Sequence, residues 1–192
     1  MPVEESRVEE REGQAGDATG TRDVRLRPVR PQDAALLKGW RDQASVRLFQ
    51  PLSELTRGQI RADIAGQRTG DLYRGRGEKF QWIVLADGEP AGWITLVVSN
   101  WEHGLAEVGY ALSSEYQRHG IMPRALRLLL DDLFHRTTLE RIEARCAVEN
   151  QASQRVLEEI GFQYEGRLRG YFKLRGERVD NFLYAVLRRD WD

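Results

Sequence analysis

Residues Gln117-Arg118-His119-Gly120-Ile121-Met122 hold the most specific chemistry in this chain. They join a strand-like segment, Ala106–Leu112, to a leucine-rich helical pattern carrying Leu126, Leu128, Leu129, Leu130 and Leu133. A strand, a short loop and a helix start gather backbone N–H groups at the positive end of a helix dipole, which suits a phosphate. Gly120 lets a diphosphate approach the backbone closely, and Pro123 falls in the first helical turn, where its missing N–H costs nothing. No G-x-x-x-x-G-K-[ST] occurs, which excludes a nucleotide-triphosphate P-loop, and no G-x-G-x-x-G follows a strand, which leaves a Rossmann site without support. Taken alone, the stretch also fits an ordinary strand–turn–helix.

Titratable groups surround this loop in sequence. Within Ala106–Leu112, alternation puts Ala106, Val108, Tyr110 and Leu112 on one face and Glu107, Gly109 and Ala111 on the other. A carboxylate beside small residues suits either a base working through water or a holder of a cationic amine; a solvent-facing strand residue is the bland alternative. His103, near Trp101, and His119, inside the loop, are weaker candidates. Downstream, Arg141–Val148 alternates like a strand, with the single Cys146 reading as a core residue. In the segment that follows, Asn150 fits a helix N-cap, Val156, Leu157 and Ile160 recur at helical spacing, and Gly161 fits a stop.

Together these two segments resemble the Gcn5-related N-acetyltransferase (GNAT) family. The loop is similar to the family pattern [QR]-x-x-G-x-[GA] through Gln117 and Gly120, with Met122 where a small residue is usual. The second segment is similar to N-x-x-[AS] with a Gly-Phe ending, through Asn150, Ser153, Gly161 and Phe162. The branch most resembled is the RimJ/RimL type, which acetylates protein N-terminal amines and various small amines. Ala106–Tyr110, the Gly120-Ile121-Met122 triplet, the Ser153 helix and Val24–Pro28 followed by Asp33 carry that likeness, which spans about residues 24–189.

The resemblance implies acetyl-CoA as acetyl-donor cosubstrate, no metal, and direct attack by an amine in a ternary complex. It implies backbone amides of Arg118, His119, Gly120, Ile121 and Met122 on the pyrophosphate, with Gln117 opening the loop. Tyr110 and Leu112 would present main-chain groups to the pantetheine arm, and Asn150 would contact it. Many members carry a tyrosine seven residues after the asparagine; here that position is Leu157, and in the RimL-like branch the leaving thiolate is served instead by the serine that is Ser153 here. Glu107 is the candidate base. The acceptor is a protein N-terminal amine or a small-molecule amine (an amino acid, polyamine or antibiotic), and the family also allows a homodimer. A non-catalytic acyl-CoA-binding module on the same scaffold is the alternative of another class, supported by Leu157 and opposed by Glu107 and Ser153.

The elements that must position these residues read as β-α-α-β-β-β-α-β-α-β-β from Val24 onward. Helical patterns cover about Asp33–Phe49 in two pieces and Thr56–Gln67, with Thr56 as N-cap. Asp87-Gly88-Glu89-Pro90 between two apolar runs marks a hairpin, and Arg175-Gly176-Glu177 marks another; Gly66–Lys79 reads as a mobile loop. The expected fold is an α/β GNAT fold, a mixed, largely antiparallel sheet of about seven strands flanked by helices and splayed at the acetyl-CoA site. Trp40, Phe49, Trp93, Trp101, Tyr171 and Phe172 suit either a pocket lining or the core.

Composition bounds the rest. At 192 residues, 41% hydrophobic and 31% charged, the chain reads as one domain, residues 24–192, after a polar tail of residues 1–23 too poor in large apolar groups to order itself. A net charge of −1, from 29 basic and 30 acidic residues, argues against nucleic acid as partner. No apolar run approaches the roughly 20 residues needed to span a bilayer. One cysteine excludes an internal disulfide framework and a cysteine-rich zinc site, and a cytoplasmic location is expected.

Overall fold

The computed structural model describes residues 22–67 and 70–191. A seven-stranded sheet in the order β1-β2-β3-β4-β5-β7-β6 forms its centre. The strands are β1 (Val24–Pro28), β2 (Lys79–Ala86), β3 (Glu89–Asn100), β4 (Leu105–Leu112), β5 (Arg141–Ala147), β6 (Gln163–Leu174) and β7 (Glu177–Leu187). The helices are α1 (Ala34–Asp42), α2 (Ala44–Arg47), α3 (Arg57–Gln67), α4 (Ile121–Arg136) and α5 (Gln151–Glu159). Every neighbouring pair is antiparallel except β4–β5, which is parallel. The expected mixed sheet and element order are therefore observed. Most of the expected tail, residues 1–21, lies outside the described residues; Arg22 pairs with Asp87, and the Asp23 N–H donates to Asp87 Oδ1 at 2.8 Å.

Alternation along the strands builds two cores, one on each face. Val84, Ile94, Leu96, Ala106, Val108, Ile142 and Ala144 meet Leu126, Leu129, Leu130 and Leu133 of α4 and Leu157 of α5 on one side. The four α4 leucines are 0–2% exposed, and burying each contributes roughly 1.5–3 kcal/mol. Leu128, on the opposite side of that helix, is half exposed. On the other face, Ile83, Trp93 and Ala111 meet Ala34, Leu37, Trp40, Ile60 and Ile64. Trp40 and Trp93 stack with centroids 6.1 Å apart, so both are core residues and not pocket lining.

Local chemistry sets the boundaries. Asp87 and Gly88 both take positive φ (53° and 83°), the twist a two-residue hairpin turn requires, and Arg175–Gly176 repeat it between β6 and β7. Thr56 caps α3 by accepting from the Gln59 N–H, while Gln59 Oε1 accepts from the Thr56 N–H, a reciprocal box. The glycine-rich stretch expected as a loop contains a short turn, Leu72–Arg74, whose Leu72 enters the main core. Trp101 Nε1 donates to the Gly77 carbonyl at 2.7 Å, fixing the far side of the same stretch. The edge strand β6 breaks register with β7 twice, between Tyr164 and Gly166 and between Leu168 and Phe172. Among the described residues no helix is long and apolar enough to cross a membrane.

Asp33 holds β1 to the start of α1. Its carboxylate accepts two hydrogen bonds from the Arg27 guanidinium, at 2.7 and 2.8 Å, and one from the Arg30 N–H at 2.7 Å. Burial alone pushes this carboxyl up, but the Arg27 and Arg30 bonds outweigh it and the net shift is below the ordinary aspartate value. A depressed folded-state value adds stability above the unfolded aspartate value of about 4, and that stability is lost as pH falls through the folded value. Asp33→Asn is therefore expected to lower stability by about 2 kcal/mol at neutral pH, with the gap to wild type closing below about pH 4, as read from urea midpoints across a pH series.

Candidate active site

The sheet opens at its centre. Parallel pairing of β4 with β5 runs only from Leu105↔Arg141 to Val108↔Ala144. Beyond that, β4 stays with β3 as far as Gly92↔Leu112, and β5 stays with β7 as far as Ala147↔Asn181. The two strands thus part, leaving a notch between them.

Main-chain groups of β4 point into this notch. Ser113 N donates to Ala91 O at 2.8 Å, so Ser113, and by alternation Ala111 and Gly109, exchange bonds with β3. Tyr110 and Leu112 then turn their N–H and C=O groups the other way. Their carbonyls are taken by side-chain amides: Gln50 Nε2 donates to Tyr110 O at 2.8 Å, and Gln117 Nε2 to Leu112 O at 3.1 Å. The Tyr110 and Leu112 N–H groups remain as donors along the open edge.

The notch runs into the loop before α4. Arg118 and Gly120 both adopt left-handed backbone, with φ of 66° and 65°, on either side of the exposed His119. For arginine this conformation costs roughly 1–2 kcal/mol, a strain that concentrates at working sites. Gly120 is the N-cap of α4, and a Cβ there would meet nothing within 4 Å, so neighbouring protein does not explain the glycine. The first N–H groups of α4 have no carbonyl one turn earlier to receive them. Ile121 and Met122 are buried, anchoring the turn while Arg118, His119 and Gly120 face outward.

On the α5 side, Asn150 Oδ1 accepts from Ser153 N at 3.2 Å as N-cap of that helix. The Tyr110 hydroxyl lies 2.8 Å from Ser153 Oγ. Cys146, buried next to Ser153, has its thiol pushed up to about 11 by burial, and so stays protonated. Leu157 is fully buried.

Glu107 sits on the opposite face, apart from Ser153. It pairs with Arg145, whose other terminal nitrogen donates to Glu143 at 2.9 Å. Arg141 continues the chain, donating to Glu143 at 2.9 Å and to Glu165 at 2.8 Å. Burial raises the Glu107 carboxyl above its ordinary value; Arg145 opposes that and Glu143 reinforces it. The Tyr171 ring lies 5.2 Å from the Arg145 guanidinium. His103 is exposed in the β3–β4 turn, away from these groups.

The sequence placed the loop and the α5 cap and nominated Glu107 and Ser153, but gave no sign of Gln50, Arg145 or the Tyr110–Ser153 hydroxyl contact. Arg145 was visible only as one of three charged residues alternating along β5, and Gln50 carries no local signal beyond preceding Pro51. Among the described residues, no group of three or more His, Cys, Asp or Glu could hold a metal ion.

Residues 23–163 match the acetyltransferase (GNAT) domain family. The chain is similar to the putative ribosomal N-acetyltransferase YdaF of Bacillus subtilis, 34% identical over 131 residues covering 68% of this chain and 64% of that one. It is also similar to spermidine N(1)-acetyltransferase of Escherichia coli K12, 28% identical with 80% of each chain covered. Among solved structures, Mycobacterium smegmatis RimJ in complex with CoA-disulfide superposes with a TM-score of 0.75 at 31% identity, over 85% of this chain and 81% of that one. A sheet parted at β4 and β5, a left-handed glycine opening α4 and the family match agree: the chain belongs to the GNAT acetyltransferases, in the RimJ/RimL-like group, and is an N-acetyltransferase using acetyl-CoA.

Proposed function

We propose that the domain, residues 24–192, acetylates the N-terminal amine of a protein or peptide by direct attack on acetyl-CoA in a ternary complex. The observation that carries this reading is the notch between β4 and β5, edged by the Tyr110 and Leu112 N–H groups and ending at the Gly120 loop. Bound acetyl-CoA supplies the acyl thioester. Backbone N–H groups of Arg118, His119, Gly120, Ile121 and Met122 would hold its diphosphate, with Gln117 fixing the loop to Leu112 O. The Tyr110 and Leu112 N–H groups would line the pantetheine arm and donate to the thioester oxygen as charge develops, and Asn150 would contact the same arm.

An amine attacks only when neutral, yet free α-amines titrate near about 8 and lysines near about 10.4. Glu107 is raised toward the range in which a carboxylate serves as a base, and Arg145 keeps it aimed. Ser153 Oγ, on the other side of the notch, would donate to the departing sulfur. The α-amine is favoured because it needs less help to become neutral and because the RimJ/RimL-like branch includes protein N-terminal acetyltransferases. Likeness to a spermidine acetyltransferase supports a small-molecule amine as the second reading.

Thiol release from acetyl-CoA, measured against N-terminal peptides and against small amines beside calorimetric titration of acetyl-CoA, tests the reading. Turnover confined to peptides is expected; turnover with polyamines alone would replace the acceptor, and binding without release from any acceptor would favour a non-catalytic module. Glu107→Gln is expected to lower kcat by about 100-fold or more while acetyl-CoA affinity stays within about twofold. Because the carboxylate form is needed and its value is raised, wild-type rate should climb with pH through a step above the ordinary glutamate range, and the variant should lack that step. Gly120→Val adds a branched side chain at positive φ in the open approach, and should weaken acetyl-CoA binding about tenfold or more by calorimetry.

A further inference from the structure

Tyr110 carries more than main-chain groups. Its ring packs against the main core from β4, and its hydroxyl reaches across the notch to α5. There it lies 2.8 Å from Ser153 Oγ and 3.4 Å from the Ser153 carbonyl oxygen. Both oxygens belong to one residue, and that residue is the one assigned to the leaving sulfur.

We propose that Tyr110 is a positioning residue for acetyl transfer: its hydroxyl donates to Ser153 Oγ and thereby turns the Ser153 proton toward the notch. The assignment rests on the reading of Ser153 given above. The direction of the bond follows from the two acceptors. If Ser153 donated to the phenol, the phenol hydrogen would be left with the more distant carbonyl at 3.4 Å, beyond good hydrogen-bond length. A phenol is also a far more acidic hydroxyl than an alcohol and hence the stronger donor of the two. With Oγ occupied as acceptor from Tyr110, the serine hydrogen is free for the notch or the neighbouring Cys146 sulfur, and a neutral thiol is a weak acceptor beside a developing thiolate.

The same arrangement accounts for Leu157. The α5 helix offers no phenol of its own, but β4 supplies one from the facing edge. Tyr110 does not lose its proton in this scheme. As the C–N bond forms and the C–S bond breaks, the electron pair leaves on sulfur, where Ser153 Oγ–H donates a hydrogen bond; the nitrogen releases its proton toward Glu107. Cys146, beside Ser153, stays a neutral thiol and does not compete as an anion.

Tyr110→Phe keeps the ring in the core and removes only the hydroxyl. We expect kcat to fall about tenfold, with acetyl-CoA affinity and the melting temperature near wild type. Ser153→Ala should lose at least as much, and the double variant Tyr110→Phe/Ser153→Ala should be no slower than Ser153→Ala alone, because the phenol acts only through the serine. Wild-type kcat in Tyr110→Phe, or losses that multiply in the double variant, would overturn the assignment of Tyr110. Full turnover in Ser153→Ala would instead overturn the reading of Ser153, and the role of Tyr110 with it.

Discussion

The separation of β4 from β5 governs this molecule. A sheet interior normally satisfies its own backbone groups, and a buried N–H or C=O without a partner is costly. Here the pairing stops at Val108 and Ala144 while both strands continue with their outer partners. Side-chain amides of Gln50 and Gln117 satisfy the exposed carbonyls, and a ligand with carbonyls of its own would suit the N–H groups between them. An acyl-pantetheine arm, with its amides, has that chemistry.

The Glu107 and Ser153 sides differ in electrostatic character. Glu107, Glu143 and Glu165 alternate with Arg145 and Arg141 in a ladder across β4, β5 and β6. The ladder carries one more acid than base, which suits a face that receives a cationic amine. On the α5 side, Tyr110, Ser153 and Cys146 hold hydrogens on oxygen and sulfur, with Glu158 nearby bonded to the Tyr184 hydroxyl. In the proposed reaction, the ion-paired carboxylates would stand on the side that takes the amine proton and the hydroxyl donors on the side of the leaving sulfur.

Local signals accounted for much of this. Apolar periodicity placed α4 and β4, Asp87-Gly88 and Arg175-Gly176 placed the hairpins, and Asn150 and Gly161 bracketed α5 because capping is a short-range interaction. Alternation in β4 was readable, but the second core and its Trp40–Trp93 stack, which resolved aromatics left between pocket and core, came only with the structure. What escaped were contacts between distant segments. Gln50 meets Tyr110 sixty residues away, Arg145 meets Glu107 across 38, and Tyr110 meets Ser153 across 43. Nothing in residue type or spacing encodes such a pairing; only the strand order brings these side chains together. The docked Leu72 in a glycine-rich stretch was missed for the same reason.

The broken register of β6 bears on how copies of this protein behave toward one another. A twelve-residue strand at a sheet edge offers unpaired backbone groups that invite another chain to extend the sheet. Two irregularities interrupt that row, and Arg167, Arg169 and Lys173 stand exposed along it. Bulges twist an edge away from a flat partner and charges make its dehydration unfavourable. The opposite edge, β1, is only five residues long. Both ends of the sheet are therefore poor templates for strand addition, which protects a β-rich enzyme from polymerising through its own architecture.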